Sequence, residues 1–277
     1  MSKILFIGIC ILCTVFSKGE NINNGFRILD DSLQIQVSSP LDKIIHIQVV
    51  PIGTKAKESL IVPEKTSIPS SHYKILEKGD FISLQTQYVT ATYSYKDKNF
   101  YFSDTRNKTV LLQEQARSFE QKDVAGETVW QIKQTFKLQA DEALYGLGQY
   151  QEGIMNYRGK KIKLVQANME IVNPFLLSTQ PYGILWDNYS KTLFEDNNEG
   201  ASFWSEVADA IDFCFVYGTD MKEVVAGYHQ LTGKVPMFPK SAFGYWQSKE
   251  RYKSFNELTD VVKEHRKRQI PLDNIVQ

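Results

Sequence analysis

The sequence predicts a mainly β protein: a large antiparallel β-sandwich followed by the first βαβ unit of an incomplete (β/α)8 barrel. Three observations carry this. From about residue 21 to residue 217, short runs alternate apolar and polar positions between clusters of Gly, Pro, Asn, Asp and Lys, the pattern of strands with one buried face. At residue 218 the spacing becomes helical. Residues 241–277 then read strand, helix, strand, the opening of a parallel α/β layer.

The strands come first in the chain. Leu33-Gln-Ile-Gln-Val37, Ile45-His-Ile-Gln-Val49, Phe81-Ile-Ser-Leu-Gln85, Ala91-Thr-Tyr-Ser-Tyr95 and Trp130-Gln-Ile-Lys-Gln-Thr-Phe-Lys-Leu138 each keep period 2. Runs at 162–165, 182–186 and 211–217 carry the count past ten, with no convincing amphipathic helix between them. So many antiparallel strands at this spacing point to a sandwich.

Asp220 followed by Glu223 resembles a capping box, Val224, Val225, Tyr228 and Leu231 form a helical stripe, and Gly233 closes the helix. Pro236 and Pro239 then make residues 234–240 a natural boundary. Residues 242–247 are nearly all apolar or aromatic, as expected of a strand buried on both faces. Ser254 and Glu257 form a second capping box ahead of Phe255, Leu258, Val261 and Val262, and Pro271 ends that helix. Asn274-Ile-Val-Gln277 supplies the next strand, and such crossovers are nearly always parallel. The expected layout is a signal peptide over 1–19, the sandwich over 20–217, a connecting helix and linker over 218–240, and the barrel opening over 241–277. A complete barrel takes about 250 residues, so the barrel is expected to be truncated.

Composition limits the function classes. The 277 residues are 42% hydrophobic and 23% charged, with 32 basic and 32 acidic side chains. This suits a globular domain and gives no electrostatic footprint for nucleic acid or an anionic membrane. Lys3, the apolar run 4–16 and the small side chains around Ser17 have the tripartite order of a secretory signal peptide. The protein is therefore expected to be secreted or periplasmic, with no membrane association after cleavage; an uncleaved anchor is the alternative. Cys10 and Cys13 lie in that segment, which leaves Cys214 alone in the mature chain and no internal disulfide. Asn107-Lys-Thr109 and Asn188-Tyr-Ser190 fit the glycosylation pattern.

Few residues suggest chemistry. Tyr145-Gly-Leu-Gly-Gln-Tyr150 has two glycines spaced as in a nucleotide loop, but the third is missing and strands follow, so no phosphate cofactor is expected. The four histidines are scattered without ligand spacing, and no metal is expected. Glu250 and Asp273 lie near the end of one strand and the start of the next, with no reason to face each other. Aromatic and amide residues remain: Tyr145, Tyr150, Asn156-Tyr-Arg158, Gln166-Ala-Asn168, Trp186-Asp-Asn-Tyr189 and Phe203-Trp204. Assigned to loops, they suit sugars, which offer apolar ring faces and rows of hydroxyls. A sandwich core needs aromatic residues too, and most of these serve it on that reading.

Five stretches together resemble one family. Tyr145-Gly-Leu-Gly-Gln, Asn173-Pro-Phe-Leu-Leu-Ser178, Tyr182-Gly-Ile-Leu-Trp-Asp-Asn188, Phe243-Gly-Tyr-Trp-Gln-Ser-Lys-Glu-Arg-Tyr252 and Ile270-Pro-Leu-Asp-Asn-Ile-Val-Gln277 are similar to the N-terminal part of glycoside hydrolase family 31, most of all to secreted α-xylosidases active on xyloglucan fragments. The resemblance implies a galactose-mutarotase-like sandwich ahead of a catalytic barrel, with one sandwich loop reaching over the active site. It implies retaining hydrolysis of terminal α-linked xylose or glucose by two aspartates held about 5 Å apart. Both would lie on later barrel strands, and a further sugar-binding carboxylate would follow Gln277.

The resemblance assigns no catalytic residue to this chain, which is expected to be inactive by itself. It implies two substrate contacts. Asn168 stands where many relatives have an Asp against the terminal sugar, and Glu250 lies at the end of the first barrel strand, the face on which barrel sites are built. The expected partner is an oligosaccharide. The alternatives are a non-catalytic carbohydrate-binding sandwich and a gene fragment without its own role.

Overall fold

The computed structural model describes residues 19–62 and 72–277. The signal-peptide segment, with Cys10 and Cys13, therefore lies outside the described residues but for Gly19. The chain divides into two compact units, residues 1–233 and residues 234–277.

The first unit is a sandwich of two antiparallel sheets. The eight-stranded sheet contains β1 (Glu20–Ile22), β2 (Gly25–Asp30), β3 (Leu33–Leu41), β4 (Ile44–Pro51), β11 (Leu144–Gln149), β13 (Ile171–Ser178), β14 (Tyr182–Trp186) and β17 (Ile211–Tyr217). Its spatial order is β1-β2-β3-β4-β17-β14-β13-β11. The nine-stranded sheet contains β5 (Lys74–Lys78), β6 (Phe81–Gln85), β7 (Val89–Ser94), β8 (Asn99–Asp104), β9 (Val110–Val124), β10 (Glu127–Lys137), β12 (Lys161–Leu164), β15 (Thr192–Asn197) and β16 (Gly200–Ala208). Its order is β12-β15-β16-β10-β9-β8-β7-β6-β5.

Period-2 alternation turns into packing here. Ile35 and Val37 on β3, Ile45, Ile47 and Val49 on β4, and Phe213 and Phe215 on β17 point inward, and Phe102 on β8 and Phe136 on β10 meet them from the other sheet. Phe102 stacks on Phe215 with ring centroids 4.6 Å apart, and Phe136 meets Phe213 edge-on at 5.4 Å. Such inter-sheet aromatic pairs add about 0.5–1.5 kcal/mol each beyond the area they bury.

The outward face of the eight-stranded sheet is split. Over Ile44, Leu185, Cys214 and Val216 lies α1 (Met221–Thr232), whose Val224 and Leu231 complete a small second core. Gly227 is required at this contact, since a Cβ there would stand 2.5 Å from Val216. The Asp220 side chain caps the helix by accepting from Glu223 N, as expected. The reciprocal arm reaches one residue further than a capping box: Glu223 accepts from Thr219 N at 2.9 Å. That N–H and Lys43 hold the Glu223 carboxyl down to about 2.

In the second unit, β18 (Trp246–Gln247) and β19 (Asn274–Ile275) pair in parallel, with α2 (Phe255–Lys267) between them in sequence. Strand, helix and parallel strand match the expected order. The first strand is shorter than its apolar run suggested, because residues Lys240–Phe243 form a 3-10 turn. It is not buried on both faces either: Phe243 is 80% and Trp246 51% exposed. One hydrogen-bonded neighbour leaves the rest of the run uncovered, and an all-apolar run has no period from which to place a strand start. Among the described residues no helix is long and apolar enough to cross a membrane.

Candidate functional site

The glycines of Tyr145-Gly-Leu-Gly-Gln serve a backbone contact. Gly146, Leu147 and Gly148 all have positive φ, at 93°, 63° and 117°. Gly146 pairs with Leu176 and Gly148 with Val172, so three residues of β13, Asn173-Pro-Phe175, bulge opposite Leu147. A Cβ at Gly146 would lie 2.3 Å from the Phe175 carbonyl oxygen, and one at Gly148 2.0 Å from that of Ile171. Pro174, which cannot donate to a ladder, is accommodated by the bulge. Two of the five motif stretches thus interlock, which explains the glycine spacing without a phosphate.

The link from β12 to β13 passes from one sheet to the other and carries Asn168. Gln166 clasps this turn: its Nε2 donates to the Glu170 carbonyl at 2.8 Å, and its Oε1 accepts from Val172 N at 3.2 Å. Glu170 N also donates to the Ala167 carbonyl. Asn168 and Met169 form the exposed tip, with Met169 65% exposed at φ 67°. A non-glycine residue in the left-handed region costs about 1–2 kcal/mol, and such strain concentrates at functional positions.

A buried network anchors the neighbouring strands. Glu142 accepts from Ser178 Oγ at 2.6 Å and from the Tyr182 hydroxyl. Arg158 donates to the carbonyls of Gln139 and Glu142 and pairs with Asp196 at 2.9 Å. Burial, then the Glu142 charge, pushes the Tyr182 phenol well above its ordinary range, so Tyr182 stays a donor. Together they tie the segment before β11 to the ends of β13, β14 and β15.

Glu250 is exposed in the loop that follows β18. Lys249 pairs with Glu257, and Lys253 N donates to the same carboxylate, which ties this loop to the first turn of α2 and lowers the Glu257 pKa. Among the described residues Glu250 makes no hydrogen bond or ion pair. Asp273 is occupied otherwise: its Oδ2 accepts from Tyr245 N at 3.0 Å, in the space that Gly244 leaves by lacking a Cβ. Asn168 and Glu250 sit in different units, each fixed within its own.

Several aromatic candidates assigned to loops belong to the core. Trp186 lies on β14, fully buried, stacked on Phe203 at 5.1 Å and donating to Ser205 Oγ. Phe203 and Trp204 lie on β16, where only Trp204 keeps some exposure. On β14 alternation hides because Tyr182, Gly183, Ile184, Leu185 and Trp186 are all buried, on both faces. Asn188 is engaged as well, donating to the Val207 carbonyl at 3.2 Å, whereas Asn107 is exposed. No group of three or more His, Cys, Asp or Glu that could hold a metal occurs among the described residues.

The profile of the Glycosyl hydrolase 31 N-terminal galactose mutarotase-like domain matches residues 34–195, more than half of the chain. The chain belongs to glycoside hydrolase family 31. The profile of the family 31 TIM-barrel domain follows over residues 235–277. An α-xylosidase of Saccharolobus solfataricus is 44% identical over 158 residues, covering 54% of this chain and 22% of the relative. Among solved family 31 structures, an α-xylosidase from a soil metagenome, complexed with xylose, superposes with a TM-score of 0.82 at 23% identity, covering 94% of this chain and 41% of that one. A dextranase from Flavobacterium johnsoniae, complexed with glucose, gives 0.75 at 25% identity, covering 94% and 33%. The chain spans about a fifth of the length of its Saccharolobus relative.

Proposed function

We propose that this chain is the N-terminal portion of an exported, retaining α-glycosidase that removes terminal α-linked xylose or glucose from oligosaccharides. The consecutive matches to the family's sandwich and barrel profiles carry this reading. The identity to an α-xylosidase favours xylose. In this reading the Asn168 turn supplies a contact to the terminal sugar: an amide both donates to and accepts from hydroxyls, and it stays uncharged at every working pH. Glu250 supplies a second contact from the barrel side. The two carboxylates of retaining hydrolysis are expected on barrel strands other than those matched in residues 235–277, so no residue named here is given a catalytic role. The N-terminal pattern over residues 1–19 supports export, and sequencing the N-terminus of the mature protein checks it.

The test joins residues 20–277 to the remaining barrel of the Saccharolobus relative and measures kcat/KM on aryl α-xyloside and aryl α-glucoside. Asn168→Ala is expected to lower kcat/KM by tenfold or more, about 1.4 kcal/mol, and Glu250→Ala to lower it less. Unchanged kcat/KM in the double variant would remove both residues from the site.

A further inference from the structure

Beside α1, the outward face of the eight-stranded sheet carries a polar row, flanked by residues 56–59. Glu20 faces Arg27, Arg27 faces Gln36, Gln36 faces Gln48, and Gln48 faces Asp212, each pair directly opposite across a strand boundary. Asp187, just past β14, continues the row by donating its N–H to the Asp212 carbonyl at 3.0 Å. The row is partly wired. Gln48 Nε2 donates to Asp212 Oδ2 at 2.8 Å, and His46 Nε2 meets Asp212 Oδ1 at 2.7 Å. Among the described residues Gln36 has no hydrogen-bond partner for its side-chain amide.

Two further observations mark this row. Gln36, His46, Gln48, Asp187 and Asp212 line one cavity of about 670 Å³. Among the described residues, the buried side-chain polar atoms without a hydrogen bond are Arg27 Nε and Asp187 Oδ1, and both belong to this row. An unpaired buried donor or acceptor costs about 1–3 kcal/mol, and native structures carry few of them. Asp187 lines the cavity, and the broad terminal torsion of a carboxylate lets its unpaired oxygen turn toward an occupant.

From Gln36 to Asp187 the cavity-lining part of the row crosses three strand spacings, roughly 14 Å at ~4.8 Å each. That suits a short oligosaccharide rather than a single ring. Arg27 pairs with Glu20 at 3.5 Å and His46 with Asp212, which leaves Asp187 as the row's further carboxylate and disfavours an anionic ligand. Amide and carboxylate groups repeated at strand spacing match a chain of hydroxyls, because each amide both donates and accepts.

We propose that this face is a second carbohydrate site, a cleft for a neutral oligosaccharide seated across β3, β4 and β17 on Gln36, Gln48, Asp212 and, just past β14, Asp187. It lies in the sandwich alone and does not rest on the role given to Asn168. It would hold substrate chains near the protein without contributing to bond cleavage.

The test titrates the full chain with maltotetraose and with a xyloglucan heptasaccharide, by calorimetry and by the side-chain amide and imidazole signals in NMR spectra. Binding in the millimolar range or tighter is expected, with shifts at the Gln36 and Gln48 amides and at His46. Gln36→Ala/Gln48→Ala should weaken it by tenfold or more, while Lys74→Ala, exposed on the other sheet, leaves it unchanged. Gln36→Ala alone, which has no protein hydrogen bond to lose, keeps the test open if the double variant loses its native circular dichroism. Absence of binding, or binding indifferent to Gln36 and Gln48, overturns the cleft and leaves the catalytic reading to its own kinetic test. Binding abolished by Asn168→Ala alone overturns the cleft and strengthens the Asn168 reading.

Discussion

The sandwich and the barrel opening draw on the same residue types and treat them oppositely. Phe102, Phe213 and Phe215 are buried between two sheets, whereas Phe243 and Trp246 are exposed, Phe255 on α2 is 78% exposed, and no residue of α2 is buried. The difference is cover rather than composition. The sandwich strands bury their inward sides against a facing sheet, and part of the outward side is roofed by α1. The pair β18 and β19 forms a sheet of two strands, too few for independent stability without further packing. The sandwich therefore carries its own folding energy, and residues 234–277 are held locally by caps and by the Tyr245–Asp273 contacts.

The largest effect should separate the two regions outright. Phe213→Ala, which removes a ring packed on both Phe102 and Phe136, should destabilise the sandwich by about 3–5 kcal/mol. Phe243→Ala should change stability by less than about 0.5 kcal/mol. Urea unfolding followed by tryptophan fluorescence measures both, and equal costs would break the contrast.

Gly148→Ala comes next. Its φ of 117° and the Ile171 carbonyl 2.0 Å from the new Cβ leave no strain-free position, and a loss of about 2–3 kcal/mol is expected in the same assay. Caps follow. Asp220→Ala should cost about 1 kcal/mol of global stability, because α1 is packed on the sandwich. Ser254→Ala should instead fray α2 and leave sandwich unfolding unchanged, which hydrogen exchange resolves segment by segment.

The smallest effect is a pH dependence. Burial opposes charge on His46, but the attraction and hydrogen bond of Asp212 outweigh it and raise the imidazole pKa above its ordinary value. A raised cationic pKa adds stability that is full below about 6.5 and is lost as pH rises through the folded-state value. Asp187, raised mainly by burial, is also raised, and its loss begins lower, as pH climbs past the ordinary carboxylate range. Both contributions are lost as pH rises, that of Asp187 first and that of His46 above about pH 6.5, and Asp212→Asn should flatten the upper part of that slope. A slope unaffected by Asp212→Asn would place its source elsewhere.

Much of this was legible in the chain and some was not. Alternation located β3, β4, β6 and β10, and both helix caps were visible as Asp220 with Glu223 and Ser254 with Glu257. Each depends on neighbours within a few residues. What escaped depends on the third dimension. Trp186 ends the run 182–186 that reads as a strand, but that strand is apolar on both faces, one side facing the other sheet and one facing α1, so periodicity could not tell a core ring from a sugar platform. The β11 glycines resembled a ligand loop because the partner that demands them, the β13 bulge, lies more than twenty residues on. His46 and Asp212 are 166 positions apart, so only register could align the polar row. The turn around Asn168 had a local signal that went unused: Gln166 two residues before an Asn at the tip is a side chain placed to clasp the turn.

The most direct measurement of the central claim is hydrolysis of aryl α-xyloside by the purified chain, beside the same chain joined to the remaining barrel of its Saccharolobus relative. The account predicts no turnover from the chain alone and turnover from the joined protein. Turnover by the chain alone that survives repurification would contradict it.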